Sequence, residues 1–96
     1  MTPTFEELVA FTKEIEGRPI YTLKQARPFL AKVESGQLKF TPVKSASTRS
    51  AQTVKVKSVL KRLADTGSFE PGHYKEFSFN ASYILALAFA WQARGK

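Results

Sequence analysis

The side chains of this sequence that are best suited to chemistry are basic, and they are concentrated in one segment. Residues 35–64 contain no Asp or Glu and seven basic residues: Lys39, Lys44, Arg49, Lys55, Lys57, Lys61 and Arg62. A cationic side chain that neutralises a phosphate releases a counterion, so a cluster of such side chains attracts polyanions. The pattern therefore predicts a basic strand–loop–helix surface that contacts the phosphates of a nucleic acid, either DNA or RNA.

This segment also accounts for the net charge of the chain. The protein has fifteen Lys and Arg residues against eight Asp and Glu residues, a formal charge of +7. Residues 1–34 hold five bases and five acids, and residues 65–96 hold three of each. Hydroxyl and amide side chains between Thr41 and Thr53 are suited to phosphate and sugar contacts. The alternative is that a Lys-rich helix face only keeps the protein soluble.

Composition argues against catalysis and against a metal site. The chain has no cysteine and one histidine, which excludes a thiol nucleophile, Cys-ligated zinc and any site that needs two histidines. His73 stands in a polar loop, where we expect a solvated residue. The absence of acids from the basic segment also disfavours a metal-dependent nuclease. We therefore expect a non-catalytic protein without metal or cofactor.

Local patterns predict the elements that must position the bases. Thr4 and Glu7 have the spacing of a capping box, and Ser35-Gly36 reads as a tight turn between alternating segments. These signals predict a helix over 4–16, a hairpin of strands 28–34 and 37–43, and a third strand within 48–54. Pro42 has no N–H to donate, so we expect it at an edge, a bulge or a strand end.

Two further helices are predicted in the second half of the chain. The buried stripe Val56, Val59, Leu60 and Leu63 recurs at helical spacing over 55–66 and leaves the bases of that helix exposed. A loop over 68–72 and a short extended piece over 77–79 follow. The last helix begins after a cap at Asn80 or Ser82 and ends near Gln92 or Arg94.

The order of elements predicts one α+β domain over residues 1–96. It comprises an N-terminal helix, a small antiparallel sheet of two to three strands, and two helices, the last of them largely buried. That helix is apolar on nearly every side, and its Tyr83, Phe89 and Trp91 cannot all face one small core. The candidate interface residues on this helix are Tyr83, Leu87, Phe89 and Trp91. Either the helix packs centrally, or part of it meets a second copy of the chain, and we expect a homodimer.

Three functional hypotheses remain at this stage. The first is a non-catalytic nucleic-acid-binding protein, and the second is a protein-interaction or self-assembly module. The third is a small-molecule binder lined by Tyr21, Phe77, Phe79 and Tyr83. Phe29 and Phe40 are expected in the core, with a base-stacking platform as the alternative.

The sequence also gives an expectation for location. It begins without a signal-peptide pattern, and its most apolar stretch, Tyr83 to Trp91, is far shorter than the ~20 residues needed to cross a bilayer. We therefore expect a cytoplasmic protein with no membrane partner.

Overall fold

The fold combines three α-helices with a four-stranded antiparallel sheet in residues 2–45, 47–75 and 80–94, the part of the chain that the computed structural model describes. The α+β class is therefore confirmed. The helices are α1 (Phe5–Ile15), α2 (Thr53–Thr66) and α3 (Ala81–Ala93), and a 3-10 helix covers Pro71–Tyr74. The strands are β1 (Ile20–Tyr21), β2 (Pro28–Glu34), β3 (Gln37–Pro42) and β4 (Arg49–Ala51).

Helix α1 begins where the sequence predicts, because its first turn is capped from both sides. The Glu7 N–H donates to the Thr4 hydroxyl at 3.1 Å, and the Thr4 N–H donates to the Glu7 carboxylate at 3.0 Å. These two bonds satisfy N–H groups that a helix N-terminus leaves without partners. The helix then buries Leu8, Phe11 and Thr12. The Thr12 hydroxyl is satisfied in the core by the Leu8 carbonyl at 2.7 Å.

The sheet is a meander with the order β1-β2-β3-β4. Positive φ angles at Ser35 and Gly36, 54° and 76°, make the tight turn between β2 and β3. Cα partners across the ladder share a face, so Phe40, opposite Ala31, lies on the same side as Phe29. Both phenylalanines are fully buried, which confirms the core prediction over the stacking platform. Pro42 is the last residue of β3, at a strand end as expected.

The sheet has four strands where the sequence predicts two to three. The additional strand, β1, has two residues, too few to show the alternation from which strands are predicted. It forms because the connection 22–27 folds back on itself, with the Thr22 N–H donating to the Arg27 carbonyl and the Arg27 N–H donating to the Thr22 hydroxyl, both at 3.0 Å. The predicted third strand is present as β4 but ends at Ala51.

Helix α2 starts at Thr53, earlier than predicted, and buries the expected stripe of Val56, Val59, Leu60 and Leu63. It ends at Gly67, whose φ of 70° is left-handed and whose N–H donates to the Leu63 carbonyl at 2.7 Å. The loop predicted after it contains the start of the 3-10 helix. The extended piece predicted over 77–79 lies outside the described residues.

Helix α3 is the centre of the core, which confirms that it is largely buried. It contacts α1, α2, β1 and the 3-10 helix. Five consecutive residues, from Ile84 to Ala88, are at most 1% exposed. A helix enclosed in this way needs apolar side chains around its whole circumference, which explains why α3 lacks an amphipathic pattern.

Candidate functional site

A basic cavity of about 680 Å³ opens at one end of the sheet. Four parts of the chain form it: the connection between β1 and β2, the connection between β3 and β4, the segment around the 3-10 helix, and the first turn of α3. Its lining consists of Thr22, Lys24, Gln25, Arg27, Pro28, Pro42, Lys44, Ser45, Arg49, Glu70, Pro71, Gly72, Lys75, Ser82 and Tyr83. These positions span most of the chain, so the cavity exists only in the folded protein.

The lining of this cavity is strongly cationic. Among the described residues, five basic side chains and one acidic side chain line it; the bases are Lys24, Arg27, Lys44, Arg49 and Lys75. Glu70 is paired with Lys24 at 3.1 Å. The other four bases make no ion pair with any residue that the structure describes. Their charges therefore add to one positive potential around the opening.

Glu70 remains charged in this environment. The hydrogen bond from Lys24, and then a second one from the Gly72 N–H, hold the pKa of Glu70 below its ordinary value. The same carboxylate accepts the Gly72 N–H at 3.4 Å, so it caps the 3-10 helix while it binds Lys24. One cation of the cavity is therefore already partnered, and four stay open to a ligand.

Hydrogen bonds hold the β1–β2 connection and the β3–β4 connection, which carry most of these bases. In the first, the Ala26 N–H donates to the Thr22 carbonyl at 2.9 Å, so the turn between Lys24 and Arg27 is closed. In the second, the Val43 N–H donates to the Pro28 carbonyl and extends the β2–β3 ladder past Pro42 towards Lys44. The hydroxyls of Thr41 and Thr48 lie 3.0 Å apart and close the loop before Arg49.

One wall of the cavity is apolar and aromatic. Tyr83 lines it together with Pro28 and Pro42. The Tyr83 ring stacks on Phe40 with centroids 5.5 Å apart and is tilted against Phe29 at 4.9 Å. Because both phenylalanines are fully buried, they hold this ring in place. The cavity therefore combines exposed cations with an aromatic surface that the core holds in place.

The seven predicted bases do not form a single patch. Lys44 and Arg49 line the cavity. Lys39 is in register with Lys32 and lies 2.7 Å from Glu34, to which Lys32 also binds at 3.3 Å. These contacts, with the Lys39 hydrogen bond as the largest cause, hold the pKa of Glu34 below its ordinary value. Lys39 therefore shares the Glu34 carboxylate with Lys32, and it does not line the cavity.

The four bases of α2 spread around the exposed half of the helix. Lys57 lies over the Phe5 ring, with its ammonium 5.7 Å from the ring centroid, on the flank towards α1. Arg62 donates to the His73 carbonyl at 3.1 Å, on the opposite flank. Lys55 and Lys61 are exposed to solvent. None of the four lines the cavity. They can therefore affect a ligand bound there only through the long-range electrostatic potential of the protein.

Sequence reasoning missed three bases of the cavity: Lys24, Arg27 and Lys75. They belong to segments whose charges sum to zero along the chain. In the fold, however, acids of those segments lie elsewhere, as Glu6 and Glu7 do in the first turn of α1. A count of charges along the sequence cannot show that the bases and acids of one segment lie apart in the folded protein.

Most of the residues predicted to form a dimer interface pack within the core of their own chain. Leu87 is fully buried and Trp91 is 7% exposed. Tyr83 is partly buried against the two core phenylalanines, as described above. Phe89 is 48% exposed and meets Phe69 edge to face, with centroids 5.6 Å apart. Only Phe89 of the four thus offers a large free surface to a second copy.

His73 is exposed, as expected, but it lies in the 3-10 helix rather than in a loop, and its ring is hydrogen-bonded. Its Nδ1 lies 2.7 Å from the Ser68 hydroxyl, which also accepts the Glu70 N–H at 3.2 Å. A serine beside a histidine can form part of a nucleophilic site, but such a site also needs a group that orients the histidine. No carboxylate hydrogen-bonds this ring in the described part of the chain. We therefore interpret the Ser68–His73 contact as a structural hydrogen bond that stabilises the turn before the 3-10 helix.

Comparisons with protein-family models, with curated proteins and with solved structures find no match for this chain. Within residues 2–45, 47–75 and 80–94, none of the helices has the length and apolar character required to cross a membrane.

Proposed function

We propose that this protein binds nucleic acid without catalysing a reaction on it, and that the basic cavity is the centre of the contact surface. The observation that supports this most strongly is the set of four cations at the opening that lack an ion-pair partner in the described residues: Arg27, Lys44, Arg49 and Lys75. Like charges held together in a fold repel one another, so a bound polyanion relieves this repulsion and releases counterions.

The side chains of the cavity suit phosphate contacts better than base reading. Lysines provide point charges without fixed geometry, whereas the arginines can bind phosphate through two parallel N–H bonds. Hydroxyls of Thr22, Ser45 and Ser82 stand among them as donors of the kind that contact phosphate and sugar. We therefore expect weak dependence on sequence.

The bases of α2 supply a second, longer-range contribution. Lys55 and Lys61 are exposed and have no ion pair with a described residue. At moderate ionic strength a charge acts over about 10 Å, so these lysines raise the rate of encounter with a nucleic acid even without direct contact. Of the seven bases predicted from the sequence, Lys44 and Arg49 thus contact the ligand directly, and Lys55 and Lys61 act at longer range.

Fluorescence anisotropy with labelled DNA and RNA of mixed sequence tests the proposal. If four phosphates are neutralised, the logarithm of the binding constant falls against the logarithm of salt concentration with a slope of about −3 to −4. Absence of binding at low salt would sink the proposal, and so would binding that ignores salt. Parallel titrations with DNA and RNA determine the preferred nucleic acid.

A self-assembly module is the second candidate, and the exposed ring of Phe89 favours it. Light scattering at high protein concentration tests this function directly. We expect Phe89→Asp to abolish any dimer, and Val54→Asp, at a 75% exposed position on α2, to leave it intact. A strict monomer for the natural chain rules this candidate out.

A further inference from the structure

The basic cavity also has an aromatic and apolar part of its lining, which phosphate binding alone does not require. The same lining that carries its cations also includes the ring of Tyr83 together with Pro28 and Pro42. Among the described residues, nothing hydrogen-bonds the Tyr83 hydroxyl, and the ring is held against Phe40 at an interplanar angle of 24°. A rigid aromatic ring beside a cluster of cations is the combination on which proteins hold single-stranded nucleic acid.

The size of the cavity points in the same direction. Its volume of about 680 Å³ lies in the range of about 300–1,000 Å³ that is usual for sites that enclose a small organic ligand. A phosphate group alone would leave most of this space unfilled, whereas the cavity has room for a base, a sugar and a phosphate together. In a duplex the bases are paired and stacked inside, so they cannot reach the wall.

We propose that the cavity binds one nucleotide unit of a single strand, with the phosphate on the cations of its rim and the base against Tyr83. This inference rests on the proposed function and specifies its ligand. Arg27, Lys44 and Arg49 reach the phosphate from the two connections that form the rim. The base contact is sequence-tolerant, because every base has a π face.

The preference between strands separates this proposal from binding through phosphates alone. Duplex DNA has the higher charge density and releases more counterions per neutralised phosphate than a single strand does. A protein that meets only phosphates should therefore favour the duplex. A stacked base instead favours the single strand and makes binding depend on the presence of the base.

Anisotropy titrations with three labelled probes test this inference. The probes are a single strand of about 12 nucleotides, within the site sizes of single-strand binding folds, an abasic strand of equal length, and the matching duplex. We expect the intact strand to bind roughly tenfold more tightly than either other probe. If all three bind equally, or the duplex binds best, the inference is overturned while the proposed function stands. If none binds, both fail.

Variants at two tyrosines assign the effect to the wall. Tyr83→Leu keeps an apolar side chain but removes the ring, so the ratio of intact-strand affinity to abasic-strand affinity should fall towards one. Tyr21→Leu is the matched control, because Tyr21 is 56% exposed and does not line the cavity. Equal behaviour of the two variants would overturn the assignment. If Tyr83→Leu fails to fold, the comparison of intact and abasic strands on the natural chain still decides.

Discussion

The Lys24 ammonium lies 3.1 Å from the Glu70 carboxylate and joins two segments that are 46 positions apart in the chain. The first is the turn after β1, and the second is the cap of the 3-10 helix. Because both residues line the cavity, this ion pair also sets its charge: Glu70 places one negative charge where the proposed ligand is an anion.

Replacing this acid should strengthen binding. Glu70→Gln removes the negative charge and frees Lys24 for a phosphate, so we expect about two- to fivefold tighter binding of a labelled oligonucleotide. The control is Glu14→Gln, which removes an exposed charge on α1, outside the cavity. If the two variants bind with equal affinity, the cavity is not where the nucleic acid binds.

Neutralising two bases of the rim should weaken binding more than neutralising two bases elsewhere. For Lys44→Gln with Arg49→Gln we expect the salt dependence to fall by about two counterions, together with a loss of affinity at low salt. Lys13→Gln with Arg18→Gln changes the net charge equally at exposed positions outside the cavity. Identical salt slopes for the two double variants would show that only net charge matters.

The hairpin salt bridges predict a pH dependence. Lys39 and then Lys32 lower the folded-state pKa of Glu34 from its ordinary value of 4.5. The contribution of this carboxylate to stability is thus fully present above the unfolded-state pKa, and it is lost as pH falls through the lowered folded-state value. NMR titration of the Glu34 carboxyl should show a midpoint below 4.5. Lys39→Met should raise this midpoint more than Lys32→Met, and the reverse order would contradict the observed geometry.

The capping box of α1 predicts a measurable loss of stability. Thr4→Ala removes the acceptor of the Glu7 N–H, and we expect the free energy of unfolding to fall by about 1 kcal/mol in urea denaturation. Glu7→Gln keeps the reciprocal acceptor and serves as the control, since glutamine is the other residue used at this position of the box. An equal loss in Glu7→Gln would mean that the Glu7 charge contributes as much as the Thr4 cap, and no loss in Thr4→Ala would contradict the prediction.

The fold was predictable wherever a signal is local. The Thr4–Glu7 spacing marks the start of α1, and Ser35-Gly36 marks the hairpin. Each feature is formed by residues that are close together in the sequence. The β-rich composition of residues 19–23 indicates an extended segment, but it does not predict β1 as a strand of the sheet, because these two residues pair with β2 only through the turn that returns the chain.

The site was predictable only in part, for the same physical reason. Lys44 and Arg49 lie in the segment that a charge count identifies. Lys24 and Lys75 reach the same opening from distant parts of the chain, and only tertiary packing brings them together. Lys39 shows the opposite case, since cross-strand contact pairs it with Glu34, whereas the count treats its charge as free.

The central position of α3 has a consequence for biosynthesis. Ribosomes deliver residues 1–80 before this helix, and those residues include the sheet and both other helices, each with an apolar face that packs around α3. Until α3 has emerged, the nascent chain exposes to water the parts of these faces that pack against α3 in the folded protein. Folding of the whole domain should therefore be completed only after the segment 81–93 has left the exit tunnel.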